Sequence, residues 1–265
     1  MPTDAPPLDL LLPGVPRTFR PLPGEPDLVA LLGRGRPARH VTATMVASVD
    51  GAACGPDGRS GSLGTPADRR VFAVLRALAD VVLVGAGTVR AEGYRELPVV
   101  DHLRGARAAA GRAPALVLAI VTRRGHVPRE VLHGALDVVV VTGAAGAERA
   151  RAQLPADRVV AVPRDDDPGS PDLAAALDVL AARGLGHVLA EGGPRLLANL
   201  LAADLVDELC LTTSPLLLAG AAPRAAAGAG PLDPPRPARL RHLLRAPDDT
   251  LLTCWDLRPP VGSGA

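Results

Sequence analysis

Three short stretches hold the residue types that a small-molecule site needs. The first, LAEGGPRLLANLL (Leu189–Leu201), sets one carboxylate, Glu191, ahead of two glycines and then opens an apolar helix through Pro194 and Arg195. Gly192 and Gly193 let backbone N–H groups approach a diphosphate, which the free N–H groups and dipole of a helix start attract. Leu196, Leu197, Leu200 and Leu201 recur at helical spacing and anchor that helix from behind. Glu191 either serves chemistry here or only favours the helix dipole.

The second stretch, VLVGAGTVRAEGY (Val82–Tyr94), ends a buried strand at Gly85-Ala86-Gly87 and continues with Thr88, Arg90, Glu92 and the chain's single tyrosine. It is close to G-x-G-x-x-G, but Arg90 takes the third glycine position and no acid sits about twenty residues on, so a Rossmann NAD site is a poor match. A tight strand-to-helix turn accounts for it equally well in isolation. The third, MVASVDGAACGPDGRSGSLG (Met45–Gly64), has Asp50-Gly51 at a strand end and five glycines in all. It reads either as a hairpin turn or as a mobile wall over a ligand, with Ser60 and Ser62 as donors to sugar or phosphate. All three stretches put small or polar residues at the C-terminal ends of apolar strands. Open α/β sheets bind ligands there, so the three should meet in one cleft.

The elements that must hold them follow from pattern. VTATMVAS (Val41–Ser48) is a strand candidate, as are VVLVG (Val81–Gly85), ALVLAIVT (Ala115–Thr122) and DVVVVTG (Asp137–Gly143). Thr65 as N-cap, Pro66 at the first position and Asp68 in the first turn open a helix to Asp80, with Val71, Val74, Leu75 and Leu78 as its buried stripe. Ser170 should cap a further helix that ends at Gly184. VDELCLTTSPLLLAG is a strand that leaves the sheet through Pro215, and Leu240–Arg258 reads as two strands of a terminal antiparallel hairpin joined by APDD. Together these are βαβ units followed by a hairpin, giving a mainly parallel sheet with helices on both faces. Residues 1–26 read as a proline-rich arm, extended on the surface or mobile, 27–258 as the folded domain and 259–265 as a flexible tail.

Composition narrows the class. A chain of 265 residues and 27.1 kDa suits one large domain or two small ones. A net charge of +1 gives no general pull towards nucleic acid or membrane. Every basic residue is arginine, so each cationic contact is a guanidinium and no Schiff-base lysine exists. Three scattered cysteines without C-x-x-C argue against a metal site or disulfides and for a reducing, cytoplasmic setting. The start lacks a basic n-region and is broken by proline, so no signal peptide is expected. No apolar run reaches membrane-spanning length.

ASVDG, LRALADVVLVGAGTVRAEGY and LAEGGPRLLANLL…DELCLT together resemble the reductase half of the bifunctional riboflavin-biosynthesis deaminase/reductase, the RibD C-terminal-like pyrimidine reductases. Stand-alone actinobacterial members are more similar still. The resemblance spans roughly Val41 to Leu257. It implies a dihydrofolate-reductase-like three-layer α/β fold, NADPH as cofactor, a homodimer, and hydride transfer that turns a ribosylamino pyrimidine phosphate into its ribitylamino form. By position it puts Thr88 and Glu92 near the nicotinamide, with Gly85 and Gly87 in the same turn. Gly193 to Asn199 fall on the diphosphate, with Gly192 ahead of them, Ser62 on the cofactor, and Ser60, Arg76 and Glu191 on substrate. Arg123 comes near the adenosine ribose and, with Arg124, offers forks for a 2′-phosphate. The same pair also reads as a solvated turn.

The chain departs from the family at two places. Thr44 stands where the bifunctional enzymes carry a lysine, and GYRELPVV replaces a D-P-x-L-T-x-R pattern, with Arg95 as a candidate replacement cation. The zinc motif of the deaminase half is missing. Hydride transfer depends mainly on positioning and water exclusion. Glu191 is therefore assigned to orienting or protonating substrate, Glu92 to the nicotinamide pocket, and Asp50 to the loop or substrate. The alternatives are reduction of dihydrofolate or another pterin, and a catalytically silent NADPH-binding protein.

Overall fold

The computed structural model describes residues 5–134, 136–228 and 230–258. Its strands are β1 (Leu8–Leu12), β2 (Arg17–Phe19), β3 (His40–Ser48), β4 (Val81–Gly85), β5 (Val117–Val121), β6 (Asp137–Thr142), β7 (Val159–Ala161), β8 (His187–Gly192), β9 (Glu208–Ser214), β10 (Arg239–Arg245) and β11 (Leu251–Asp256). Helices α1 (Pro26–Gly33), α2 (Pro66–Leu78), α3 (Ala86–Glu92), α4 (Arg104–Ala109), α5 (Arg129–Leu132), α6 (Ala144–Arg151), α7 (Leu173–Ala182) and α8 (Pro194–Ala202) connect them.

Among the described residues all strands join one sheet, in the order β2-β1-β10-β11-β9-β3-β8-β4-β5-β6-β7. From β9 to β7 neighbours run parallel, and the β10–β11 hairpin pairs antiparallel on β9. The expected three-layer fold is therefore present. Its layers follow from the two-residue period of a strand. In β4, Val82 and Val84 enter the core beneath α1 and α2, whereas Val81 and Leu83 enter the core beneath α7 and α8. Strands covered on both faces need continuous apolar runs, and VVLVG is one.

The chain passes from β3 to β4, moves outward to β7, and then returns to insert β8 between β3 and β4. The C-terminal ends of β3, β4 and β8 therefore flank the crevice where strand order reverses. The three glycine-rich stretches leave from those ends.

Two expectations need correction. The proline-rich arm is not a separate surface segment. β1 pairs with β10 and β2 with β1, and Leu8, Leu10 and Phe19 are buried in the main core. Arg70 of α2 holds this segment by donating to the carbonyls of Pro6, Phe19 and Arg20 and, through Nε and Nη2, to Glu25 at 2.8 and 2.6 Å. The cap of α7 is Asp172, whose Oδ1 accepts from the Ala175 N–H at 3.0 Å, while Ser170 donates to Asp167. The 259–265 tail lies outside the described residues.

Three imidazoles sit near the end of the sheet opposite the crevice or in its core. Burial first, and then neighbouring guanidinium charge, lowers His40, His187 and His242 from 6.5 to about 4. His40 needs no charge to satisfy Glu208, because Arg36 and Arg241 already pair with that carboxylate. At low pH the unfolded chain takes up protons at about 6.5, whereas the native fold resists them until about 4. Stability contributed by these groups is full above the unfolded value and lost as pH falls through this window. Thermal melts should show a plateau above about pH 6.5 and a falling Tm towards pH 4. A flat Tm over that interval would mean that the three rings titrate normally.

Candidate functional site

Thr65 accepts from the Asp68 N–H at 3.2 Å, and Pro66 fills the first position of α2, so this helix starts at the crevice. Its spacing brings Asp68, Arg69, Phe72 and Arg76 towards the ends of β3 and β8. A cavity of about 430 Å³ lies against Asp68, Arg69 and Phe72, bounded also by Thr44, Ser60, Thr88, Glu92, Tyr94 and Glu191.

Glu191 is 9% exposed, and both of its oxygens are engaged. Arg76 Nε donates to Oε1 at 2.7 Å and Nη2 to Oε2 at 2.8 Å, while the Tyr94 hydroxyl donates to Oε2 at 2.6 Å. The Arg76 guanidinium also lies over the Phe72 ring, 4.3 Å from its centroid. Burial works against the charge of Arg76, but the hydrogen bonds and charge of Glu191 outweigh it and raise its pKa. Burial and the Glu191 charge together push the Tyr94 phenol far above its ordinary range. Glu92 accepts at Oε1 from both the N–H and hydroxyl of Ser60, at 2.8 and 2.9 Å.

Asp68 is a functional candidate that sequence reasoning assigned only to helix starting. Its Oδ1 accepts from Thr212 of β9 at 2.6 Å, yet the carboxyl still lines the cavity. Burial raises its pKa, partly offset by the Thr212 bond. Arg69 is likewise on the wall, steadied by donation from Nη1 to the Gly64 carbonyl at 2.9 Å. The only sequence signal for either was position: both lie in the first turn of a helix that begins at a strand-end crevice.

A second cavity, about 1030 Å³, joins the first at Gly87, Thr88, Gly193 and Pro194. Gly193 lies at the neck, whereas Gly192, joined to it by a cis peptide, is buried behind it and lines neither cavity. A Cβ on Gly193 would lie 2.7 Å from Thr88 Oγ1; one on Gly192, where φ is +85°, would lie 2.9 Å from Met45 Sδ. No side chain caps α8, so its first N–H groups face the cleft without a protein cap. Arg90, Arg123, Arg124, Arg149, Arg195 and His126 line this second cavity. Arg123 is ion-paired with Asp167 at 3.0 Å. A narrow neck at an uncapped helix start, leading into a wall of guanidinium groups, fits a dinucleotide carrying phosphates.

Several expected site residues lie elsewhere. Gly85 sits at the base of the neck, with the Gly192 and Gly193 backbones 3.9 Å from where its Cβ would be. Leu196 reaches the second cavity, but Leu197 is core. Arg76 stands behind Glu191 and outside the wall of the first cavity. Ser62 donates to Asp57 and the Arg59 carbonyl and closes its own loop. Asp50 accepts from Ser48 and from the N–H groups of Leu218 and Ala219, bonds that lower its pKa to about 2, with Ser48 the largest cause. Arg95 is exposed and lines neither cavity, whereas Arg69 and Thr44 both line the first.

Comparison with known proteins agrees with this geometry. The RibD C-terminal domain pattern matches residues 39–252. A 2,5-diamino-6-ribosylamino-4(3H)-pyrimidinone 5′-phosphate reductase of Archaeoglobus fulgidus is 29% identical over 184 residues, 68% of this chain and 82% of that protein. Among solved structures, a pyrimidine reductase-like protein from Corynebacterium diphtheriae superposes with a TM-score of 0.70 at 23% identity, over 88% of this chain and 99% of that one. A riboflavin biosynthesis reductase from Saccharomyces cerevisiae gives 0.58 at 17% identity, over 88% and 97%. These likenesses in structure concern the fold.

Proposed function

The chain belongs to the RibD C-terminal domain family, and on that premise we propose that it is an NADPH-dependent reductase of a ribosylamino pyrimidine 5′-phosphate. The observation that carries the reading is the pair of joined cavities, one with acids and hydroxyls and the other walled by arginine. NADPH, when bound, supplies the hydride that reduces the sugar C1′. The neck at Thr88 and Gly193 and the start of α8 would hold its diphosphate. Arg124, Arg149 and His126 would meet the 2′-phosphate. Arg69 offers a fork for the substrate phosphate. Asp68 presents to the substrate a carboxyl whose pKa burial raises. The Arg76–Glu191–Tyr94 group fixes the wall against which the heterocycle is oriented.

One observation also favours the pterin alternative. A buried carboxyl braced by a threonine, as in Asp68–Thr212, suits the adjacent N–H donors of any 2-amino-4-oxo ring. Loss of NADPH absorbance with the pyrimidine phosphate, with dihydrofolate and with no substrate separates the readings. Turnover of the first alone supports our proposal, and turnover of dihydrofolate alone replaces it. Oxidation of NADPH with neither would leave a silent binding protein. NADPH should outbind NADH at least about tenfold, since one charge-assisted contact is worth roughly 1.5–3 kcal/mol.

We also infer a homodimer. One face of the β9–β11–β10 sheet carries Leu211, Leu251 and the cross-strand pair Leu240 and Trp255, none of them buried. A second copy would cover an apolar patch of this kind. Light scattering should give twice the 27.1 kDa chain mass; the mass of a single chain would remove the inference. Among the described residues no helix is long and apolar enough to cross a membrane.

A further inference from the structure

Two hydroxyl groups of the first cavity rest on carboxylates. Ser60 Oγ donates to Glu92 Oε1 at 2.9 Å, and the Tyr94 hydroxyl donates to Glu191 Oε2 at 2.6 Å. The direction of the tyrosine bond is fixed, because Glu191 already accepts from Arg76 on both oxygens. A hydroxyl has one proton to give and two lone pairs to receive. Once the proton is committed to a carboxylate beneath it, only lone pairs remain for a ligand. The same arrangement arises twice, with hydroxyls from two different stretches, and both hydroxyl residues line the cavity.

We propose that Tyr94 is a substrate-contacting residue and that, with Ser60, it forms an acceptor-only wall that selects a heterocycle presenting N–H or O–H donors. This rests on the functional reading above for the identity of the ligand, whose amino groups and sugar hydroxyls are donors; the wall itself requires only donors. A ligand with a carbonyl or ether at that point sets oxygen against oxygen and leaves a buried acceptor unpaired. Glu191, Arg76 and Glu92 are the charged groups that face the phenol, and burial with the two carboxylates keeps it a hydroxyl.

Tyr94 is the sole tyrosine of the chain, so tyrosine labelled with carbon-13 at Cζ alone gives one resonance from the full-length protein. That resonance should stay in place with NADPH alone and move when 2,5-diamino-6-ribosylamino-4(3H)-pyrimidinone 5′-phosphate is added. Tyr94→Phe keeps the ring and removes only the oxygen. It should raise KM for that compound by roughly tenfold or more with a much smaller change in kcat, as one lost hydrogen bond in a closed site predicts. A resonance that moves with NADPH alone assigns Tyr94 to the cofactor and overturns the proposal. So does a silent resonance with the pyrimidine demonstrably bound, or a parental KM in Tyr94→Phe. If the pyrimidine does not bind but dihydrofolate binds and moves the resonance, the substrate reading falls and the role of Tyr94 stands. If neither binds, both fall.

Discussion

Glu191→Gln should lower turnover by roughly 10²-fold or more, the scale of a small misplacement at a reacting centre. The amide keeps the size of the side chain but offers one acceptor oxygen where the parent offers two. It cannot receive both Arg76 bonds and the Tyr94 hydroxyl. Arg76 would then sit over Phe72, largely out of water, without its counter-charge. Removing one partner of a buried ion pair costs about 3–5 kcal/mol. An acid that merely complements a helix dipole is worth only about 0.3–1 kcal/mol. The melting temperature should therefore drop together with the rate, while NADPH affinity changes little, because the proposed diphosphate site at the neck does not include Glu191. Steady-state rates, melts and cofactor calorimetry on the one variant decide the matter. A parental rate would return Glu191 to a structural role.

Gly193→Val should weaken NADPH binding by at least about 100-fold, equivalent to losing roughly two charge-assisted hydrogen bonds at the diphosphate. The φ of −72° at Gly193 is open to any residue, so the backbone itself does not forbid the change. The obstacle is space: the new Cβ starts 2.7 Å from Thr88 Oγ1, and the branched methyls fill the passage between the two cavities. The fold should survive with little loss of Tm. Normal calorimetric binding to a folded variant would move the diphosphate away from the neck.

What the sequence made legible was local. Thr65 and Pro66 start α2 through contacts within one turn, and the apolar run at Val81–Val84 is a strand covered on both faces. Glycines at the ends of β4 and β8 pointed to the crevice for the same reason, since a strand end and the following helix start are adjacent in sequence. The partners of the site were not legible. Asp68 resembles many helix-opening acids until Thr212 arrives from β9. The role of Arg76 depends on Glu191, and Arg70 depends on Glu25 and three carbonyls of the arm. Proline content made residues 1–26 look detached, because proline cannot donate to a sheet ladder. The short runs between the prolines were enough for β1 and β2. Ser170 and Asp172 are both good caps by type, and only their hydrogen bonds separate them.

The pairing of β1 with β10, which sets Asp9 opposite Arg245, has a consequence for the order of events during synthesis. The first strand of the sheet in chain order is docked by almost the last. Until β10 emerges, Leu8, Leu10 and Phe19 have α2 to pack on but no neighbour on one edge of their strand. Contacts so distant in sequence slow folding and leave an unpaired edge exposed meanwhile. The nascent chain should therefore resist proteolysis at its N-terminal segment only after residues 239–245 are free of the exit tunnel, so the arm matures after most of the sheet has been made.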